Sequence, residues 1–129
     1  MTMSSFAPSL LLLTVIAFAG CQSVPLNPTR DMVAVYHFGE FRMLLNTNAP
    51  TAGEAIQKAL QTFDLYETKR VTSHYEVEFV ARARNDQKIT VRAEEINSRQ
   101  TMLHIRWGAG GNKSSSRRFY EVIEGNMAR

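Results

Sequence analysis

Tyr75-Glu-Val-Glu-Phe-Val-Ala-Arg-Ala-Arg84 is the stretch that decides the fold. Tyr75, Val77, Phe79, Ala81 and Ala83 alternate with Glu76, Glu78, Arg82 and Arg84, the period-two signature of a strand with one buried and one wet face. Asn85-Asp86-Gln87-Lys88 follows as a turn. The pattern then repeats, with Ile89, Val91 and Ala93 against Thr90, Arg92 and Glu94. A second turn around Asn97-Ser98-Arg99 leads into Thr101, Leu103, Ile105 and Trp107, opposite Met102, His104 and Arg106. Together with a short polar segment, Tyr66 to Thr72, these residues predict an antiparallel meander with one apolar and one charged side.

The apolar side needs a cover, and the flanks supply it. Upstream, Thr51 and Glu54 match the Thr-x-x-Glu capping box, and Ala52, Ile56, Ala59, Leu60 and Phe63 form a helical stripe over about 51–64. Downstream, Gly108-Ala-Gly-Gly-Asn112 ends the sheet, and Ser114 to Ser116 offer N-caps for a helix carrying Phe119, Val122, Ile123 and Met127 on one face. Before the first helix, Val33, Val35, Phe41, Met43 and Leu45 hold the odd apolar positions against Glu40 and Arg42, with Tyr36 and Phe38 breaking the pattern. They predict one strand within 33–46 that starts nearer Val35, with Gly39 as a bulge or a close approach. Two amphipathic helices and one apolar sheet face must bury one another. The expected fold is therefore α+β, a two-layer sandwich with both helices on one face of a mostly antiparallel sheet, in the order β-α-β-β-β-β-α.

The N-terminal part reads differently. Phe6 to Gly20 is a run of fifteen uncharged residues, about 22 Å as a helix and short of the roughly 30 Å hydrocarbon core. Phe18-Ala19-Gly20-Cys21 resembles the lipobox of bacterial lipoproteins, with Phe where Leu is the norm. The competing readings are a membrane-spanning anchor and a buried core helix with an incidental cysteine. The resemblance implies a cleaved signal over 1–20, acyl chains on Cys21, and a Pro25- and Pro28-interrupted tether over 21–32 before a single domain at 33–129. The implied location is the cell envelope, and Gln22 in place of Asp favours the outer membrane, facing the periplasm, over the inner.

Nearly the whole chain, from 10 to 127, is similar to a family of small bacterial lipoproteins filed as domain of unknown function 3568. The likeness rests on the lipobox, Tyr36-x-x-Gly39-Glu-Phe41, Ala55-x-x-x-Ala59-Leu60, the meander, and Ile105-Arg106-Trp107-Gly108 before a serine-led helix. It implies fold and location, and no activity.

Composition narrows the function classes. The chain has 15 Lys and Arg against 12 Asp and Glu, a net +3, all at or beyond Arg30 and well mixed. So weak and dispersed a charge does not point to nucleic acid. With one cysteine, no disulfide or thiolate metal site is available. Gly108-Ala-Gly-Gly-Asn-Lys113-Ser114 invites a phosphate-loop reading, but Trp107 and Asn112 stand where that motif needs glycine. The residual candidate is an anion site from Gly110, Gly111, Lys113, Ser114 and Arg117. His37, His74 and His104 fall in separate segments, and strand parity puts His37 on the apolar side and His104 on the other, so no metal site is expected. Ser73-His74 and the serine run carry no nucleophile-elbow motif. The expectation is a non-catalytic protein without cofactors, partnered by the membrane through Cys21 and by an envelope protein or cell-wall component. Its candidate docking surface is the outer sheet face bearing Glu76, Glu78, Glu94, Arg82, Arg84, Arg92 and Arg106. The alternative is an enzyme or small-ligand binder using the 108–118 loop or the groove between helices and sheet.

Overall fold

The computed structural model describes residues 22–25 and 33–127. Its elements are β1 (Gln22–Pro25), β2 (Val33–His37), β3 (Glu40–Leu45), α1 (Ala49–Thr62), β4 (Tyr66–Thr72), β5 (Glu76–Arg82), β6 (Lys88–Asn97), β7 (Gln100–Trp107) and α2 (Lys113–Met127). All seven strands form one antiparallel sheet in the order β1-β2-β3-β7-β6-β5-β4. Both helices pack on one side, α1 over β5 and β6 and α2 over β3 and β7. The α+β sandwich read from the sequence is the fold observed. The signal segment 1–20 and Cys21 lie outside the described residues.

The meander forms as its alternation dictates: Val77, Phe79, Ala81, Ile89, Val91, Ala93, Leu103 and Ile105 are all buried against the helices. Burial of each Val, Leu, Ile or Phe among them contributes about 1.5–3 kcal/mol. Arg70 on edge strand β4 covers the Phe79 ring at 4.8 Å, held there by a bidentate pair with Glu67. Thr101, fully buried, donates its hydroxyl to the Thr47 carbonyl at 2.7 Å and so ties β7 to the loop entering α1.

Three expectations change. The strand read over 33–46 is a hairpin, because Phe38 (φ +48°) and Gly39 (φ +77°) both take the left-handed conformation that a two-residue turn between antiparallel strands demands. Pairing His37 with Glu40 inverts the parity upstream of the turn. Ala34 and Tyr36 therefore face the core and Val35 faces out. The segment expected as a tether from residue 21 begins instead with β1, whose backbone pairs with β2 and whose Val24 is buried in the core. The capping box at Thr51 is superseded one turn earlier: Asn48 Oδ1 accepts the Thr51 N–H at 2.9 Å and Pro50 occupies the first turn, where its missing N–H costs nothing. At the other end of α1, Asp64 (φ +55°) completes a Schellman turn, with Leu65 N–H donating to Leu60 O at 2.9 Å.

The 108–112 loop is anchored at Gly111 and exposed at Ala109, Gly110 and Asn112. Gly111 has φ +79°, and a Cβ there would collide with Gly39 and the Tyr36 hydroxyl, whereas a Cβ at Gly110 would meet nothing within 4 Å. Gly111→Ala is thus expected to cost about 2 kcal/mol or more, and Gly110→Ala to stay within about 0.5 kcal/mol. Urea denaturation of the two variants checks the contrast, and equal midpoints would contradict the packing described.

Candidate functional site

The helices leave the other side of the sheet facing solvent, and the strand register decides what gathers there. One row across β3, β7, β6 and β5 runs Arg42, His104, Arg92, Glu78, and the next runs Glu40, Arg106, Thr90, Val80. Glu40, Glu78, Thr90, Arg92, His104 and Arg106 line a shallow depression of about 280 Å³.

His104 is its centre, with a side chain only 12 % exposed. Its Nδ1 lies 2.8 Å from Glu40 Oε1, and because a carboxylate can only accept, Nδ1 carries the hydrogen and donates it. Arg42 Nε donates to the same oxygen at 2.7 Å. Burial pushes the Glu40 carboxyl up, but the hydrogen bonds and positive charge of His104 and Arg42 outweigh it and hold the group below its ordinary value. His104 Nε2, buried and without a hydrogen bond, faces Glu94 Oε2 at 3.7 Å. In a serine-type hydrolase that nitrogen would face a hydroxyl nucleophile. Here it faces a carboxylate, so the arrangement is a charge network and not a nucleophile–base pair.

Two arginines border the depression and differ in commitment. Arg106 Nη2 donates to the Phe38 carbonyl at 2.8 Å and braces the β2–β3 turn. Arg92 makes only long ionic contacts, 3.9 Å each, to Glu76 and Glu94. Such contacts contribute little and leave the guanidinium fork able to receive a planar anion. A wider recess of about 580 Å³ adjoins through Thr90 and Arg106 and adds Arg82, Asp86, Gln87 and Lys88.

The outer-face residues read from the sequence come together here, with one correction. Arg84 lies beyond the end of β5, in the turn, where it pairs with Asp64. His37 moves to the outer side, opposite Glu40, since the hairpin reverses the parity that had placed it inside. His74 sits in the β4–β5 turn. The Asn112 side chain accepts the Ser115 N–H at 2.9 Å, taking the capping role expected of Ser114 to Ser116. Gly110 and Gly111 lie against the β2–β3 turn, and Arg117 leans to Glu121 at 3.4 Å. Lys113 and Ser114 open α2. The groove between helices and sheet is filled at this end by Phe63, Trp107 and Phe119, whose rings meet edge to face at 5.3–5.8 Å. The Glu40–His104 pair was missed by sequence reasoning. The signal that would have found it is the His-Phe-Gly-Glu hairpin, which brings Glu40 to the start of β3.

This layout defines a small single-sheet α+β protein with one covered and one open, charged face. The chain belongs to the protein family of unknown function DUF3568, whose model matches residues 6–126. No curated protein matches the chain. Among the described residues, no helix is long and apolar enough to cross a membrane.

Because the Glu40 carboxyl titrates below its ordinary value in the folded state, its contribution is present above that value and fades as pH falls through the lowered one. Glu40→Gln should flatten the melting temperature between about pH 5 and pH 3 relative to the parent. His104→Ala, which leaves Glu40 half-buried with one partner fewer, should cost about 1–3 kcal/mol at neutral pH. An unchanged acid profile in Glu40→Gln would remove Glu40 from the account.

Proposed function

We propose that the protein is a non-catalytic accessory of the bacterial cell envelope, anchored by acyl chains on Cys21 and docking an envelope partner on its open sheet face. In this reading residues 1–20 are the cleaved export signal, and several acyl chains at about 0.8 kcal/mol per buried methylene hold the mature chain on the membrane. Gln22 at the position after the cysteine favours the outer membrane, with the domain in the periplasm.

The observation that carries the docking reading is Arg92. It stands at the middle of the sheet face with contacts too long for hydrogen bonds, beside a histidine whose second nitrogen is also without one. A carboxylate or phosphate on a partner would fit that fork in bidentate fashion and draw on Thr90 next to it. Chemistry at this face would need an attacking group near His104 Nε2, and the group there is Glu94.

The test is recovery of cross-linked partners from the native membranes, comparing the parent with Arg92→Glu. Charge reversal should reduce recovery about tenfold or more while the melting temperature stays within a few degrees. Intact-mass analysis of the same material should give residues 21–129 plus acyl chains, and Cys21→Ser should lose them. An uncut N-terminus or a bare thiol would overturn the anchor, and unchanged recovery with Arg92→Glu would overturn the docking face.

A further inference from the structure

We infer that the end of the sandwich bearing the β2–β3 turn rests on the membrane itself, with Phe38 inserted among the headgroups of an anionic bilayer. The inference rests on the proposed acylation of Cys21 and goes beyond it, to the orientation of the domain.

The chain enters the fold with no slack. β1 begins at Gln22, one residue after Cys21, and Gln22 pairs with Tyr36, near the end of β2. A peptide step spans about 3.8 Å, so acyl chains on Cys21 would leave the protein at the same sheet end as the Phe38–Gly39 turn. A bilayer holding those chains then lies against this end.

Phe38 is built to meet it. Its side chain is 73 % exposed, and its backbone is left-handed, a conformation in which a bulky residue is an outlier and Asn or Asp is the usual occupant. Its ring leans on the neighbouring His37 ring at 3.9 Å between centroids and is otherwise open to solvent, a contact that offsets only part of the strain. The turn behind it is rigid: Arg106 binds the Phe38 carbonyl, and Gly39 is seated against Gly110, whose oxygen lies 2.7 Å from where a Gly39 Cβ would stand. Tyr66, the first residue of β4, is 75 % exposed at the same end. Aromatic rings at the water–lipid boundary are the side chains that such a surface favours.

Charge is graded in the matching sense. Arg82, Arg84, Lys88, Arg106 and Lys113 lie at this end, against Glu40, Asp64 and Asp86. Toward the opposite end lie Glu54, Glu76, Glu95 and Glu124, with Arg99. Anionic headgroups attract the first set and repel the second.

Phe38→Trp in the full acylated protein tests the inference in vesicles of anionic phospholipid with brominated chains. The introduced tryptophan should emit to the blue of its position in detergent-free buffer and lose about half or more of its fluorescence, whereas Trp107, buried in the core, should be unaffected in the parent. A protein that floats with the vesicles while the introduced indole stays solvent-like and unquenched overturns the orientation and leaves the anchor standing. Failure to float overturns the anchor and this inference with it. Phe38→Asn supplies the second measurement: relief of the left-handed backbone should raise the melting temperature by about 4 °C. A lower melting temperature would assign Phe38 a structural role and overturn the inference.

Discussion

Gly39 and Gly111 meet backbone to backbone, and the geometry of the whole molecule follows from how closely they do so. One glycine turns the β2–β3 hairpin and the other turns the chain from β7 into α2. A side chain on Gly39 would strike the Gly110 carbonyl, and one on Gly111 would strike Gly39. That contact locks the hairpin against the entry to the second helix and holds the register that decides which residues of β2 face the core. It also aims Phe38 outward while the Arg106 guanidinium holds its carbonyl from behind. A connection that looks permissive in composition is among the most constrained places in the structure.

The open face is held together by different means. Its inner counterpart is stabilised by non-directional burial, whereas Glu40, Arg42 and His104 depend on short, oriented hydrogen bonds within a partly desolvated patch. Glu40 shows how the balance falls: burial acts against its charge, and the hydrogen bonds from His104 and Arg42 more than compensate. The network saturates one oxygen of Glu40 and leaves Arg92 and His104 Nε2 under-used. The long, exposed contacts of Arg92 to Glu76 and Glu94 contribute only a few tenths of a kcal/mol to stability. The face therefore carries more oriented charge than folding requires, which is the physical basis for assigning it an interaction role.

Most of the architecture was legible because the two hydrophobic periods are clean. Val77 to Ala81, Ile89 to Ala93 and Thr101 to Trp107 alternate without interruption at the positions the core uses, and Ala52, Ile56, Ala59 and Leu60 mark one side of α1. The misplaced faces of β2 share one cause. Phe38-Gly39 is an unfamiliar composition for a two-residue hairpin, and reading through it kept the parity of 33–46 constant when the chain had in fact reversed. His37 and Val35 were misplaced as a consequence, whereas the Glu40–His104 pair was missed because it depends on β3 and β7 being neighbours, which alternation does not reveal. Asn48 and Asn112 took capping roles expected of Thr51 and Ser114 to Ser116, since each sits one step nearer the strand it follows and meets the first free N–H. Arg84 lay past the end of regular pairing, where alternation no longer says anything about faces.

The N-terminal strand changes the meaning of the proline-containing segment after Cys21. A stretch with Pro25 and Pro28 in a polar setting has the composition of a spacer, and nothing local predicts pairing. What stabilises β1 is non-local: β2 offers an edge, and Val24 finds the same core that Ala34 and Tyr36 line. Edge pairing removes an unpaired row of backbone groups from β2, which would otherwise be open to other chains. The same pairing removes the length that a spacer would have supplied. If the cysteine is acylated, the domain cannot swing freely on ten residues of extended chain, and the membrane meets one particular end of the sheet. Acylation would then make orientation a property of the first four described residues, through their pairing with β2.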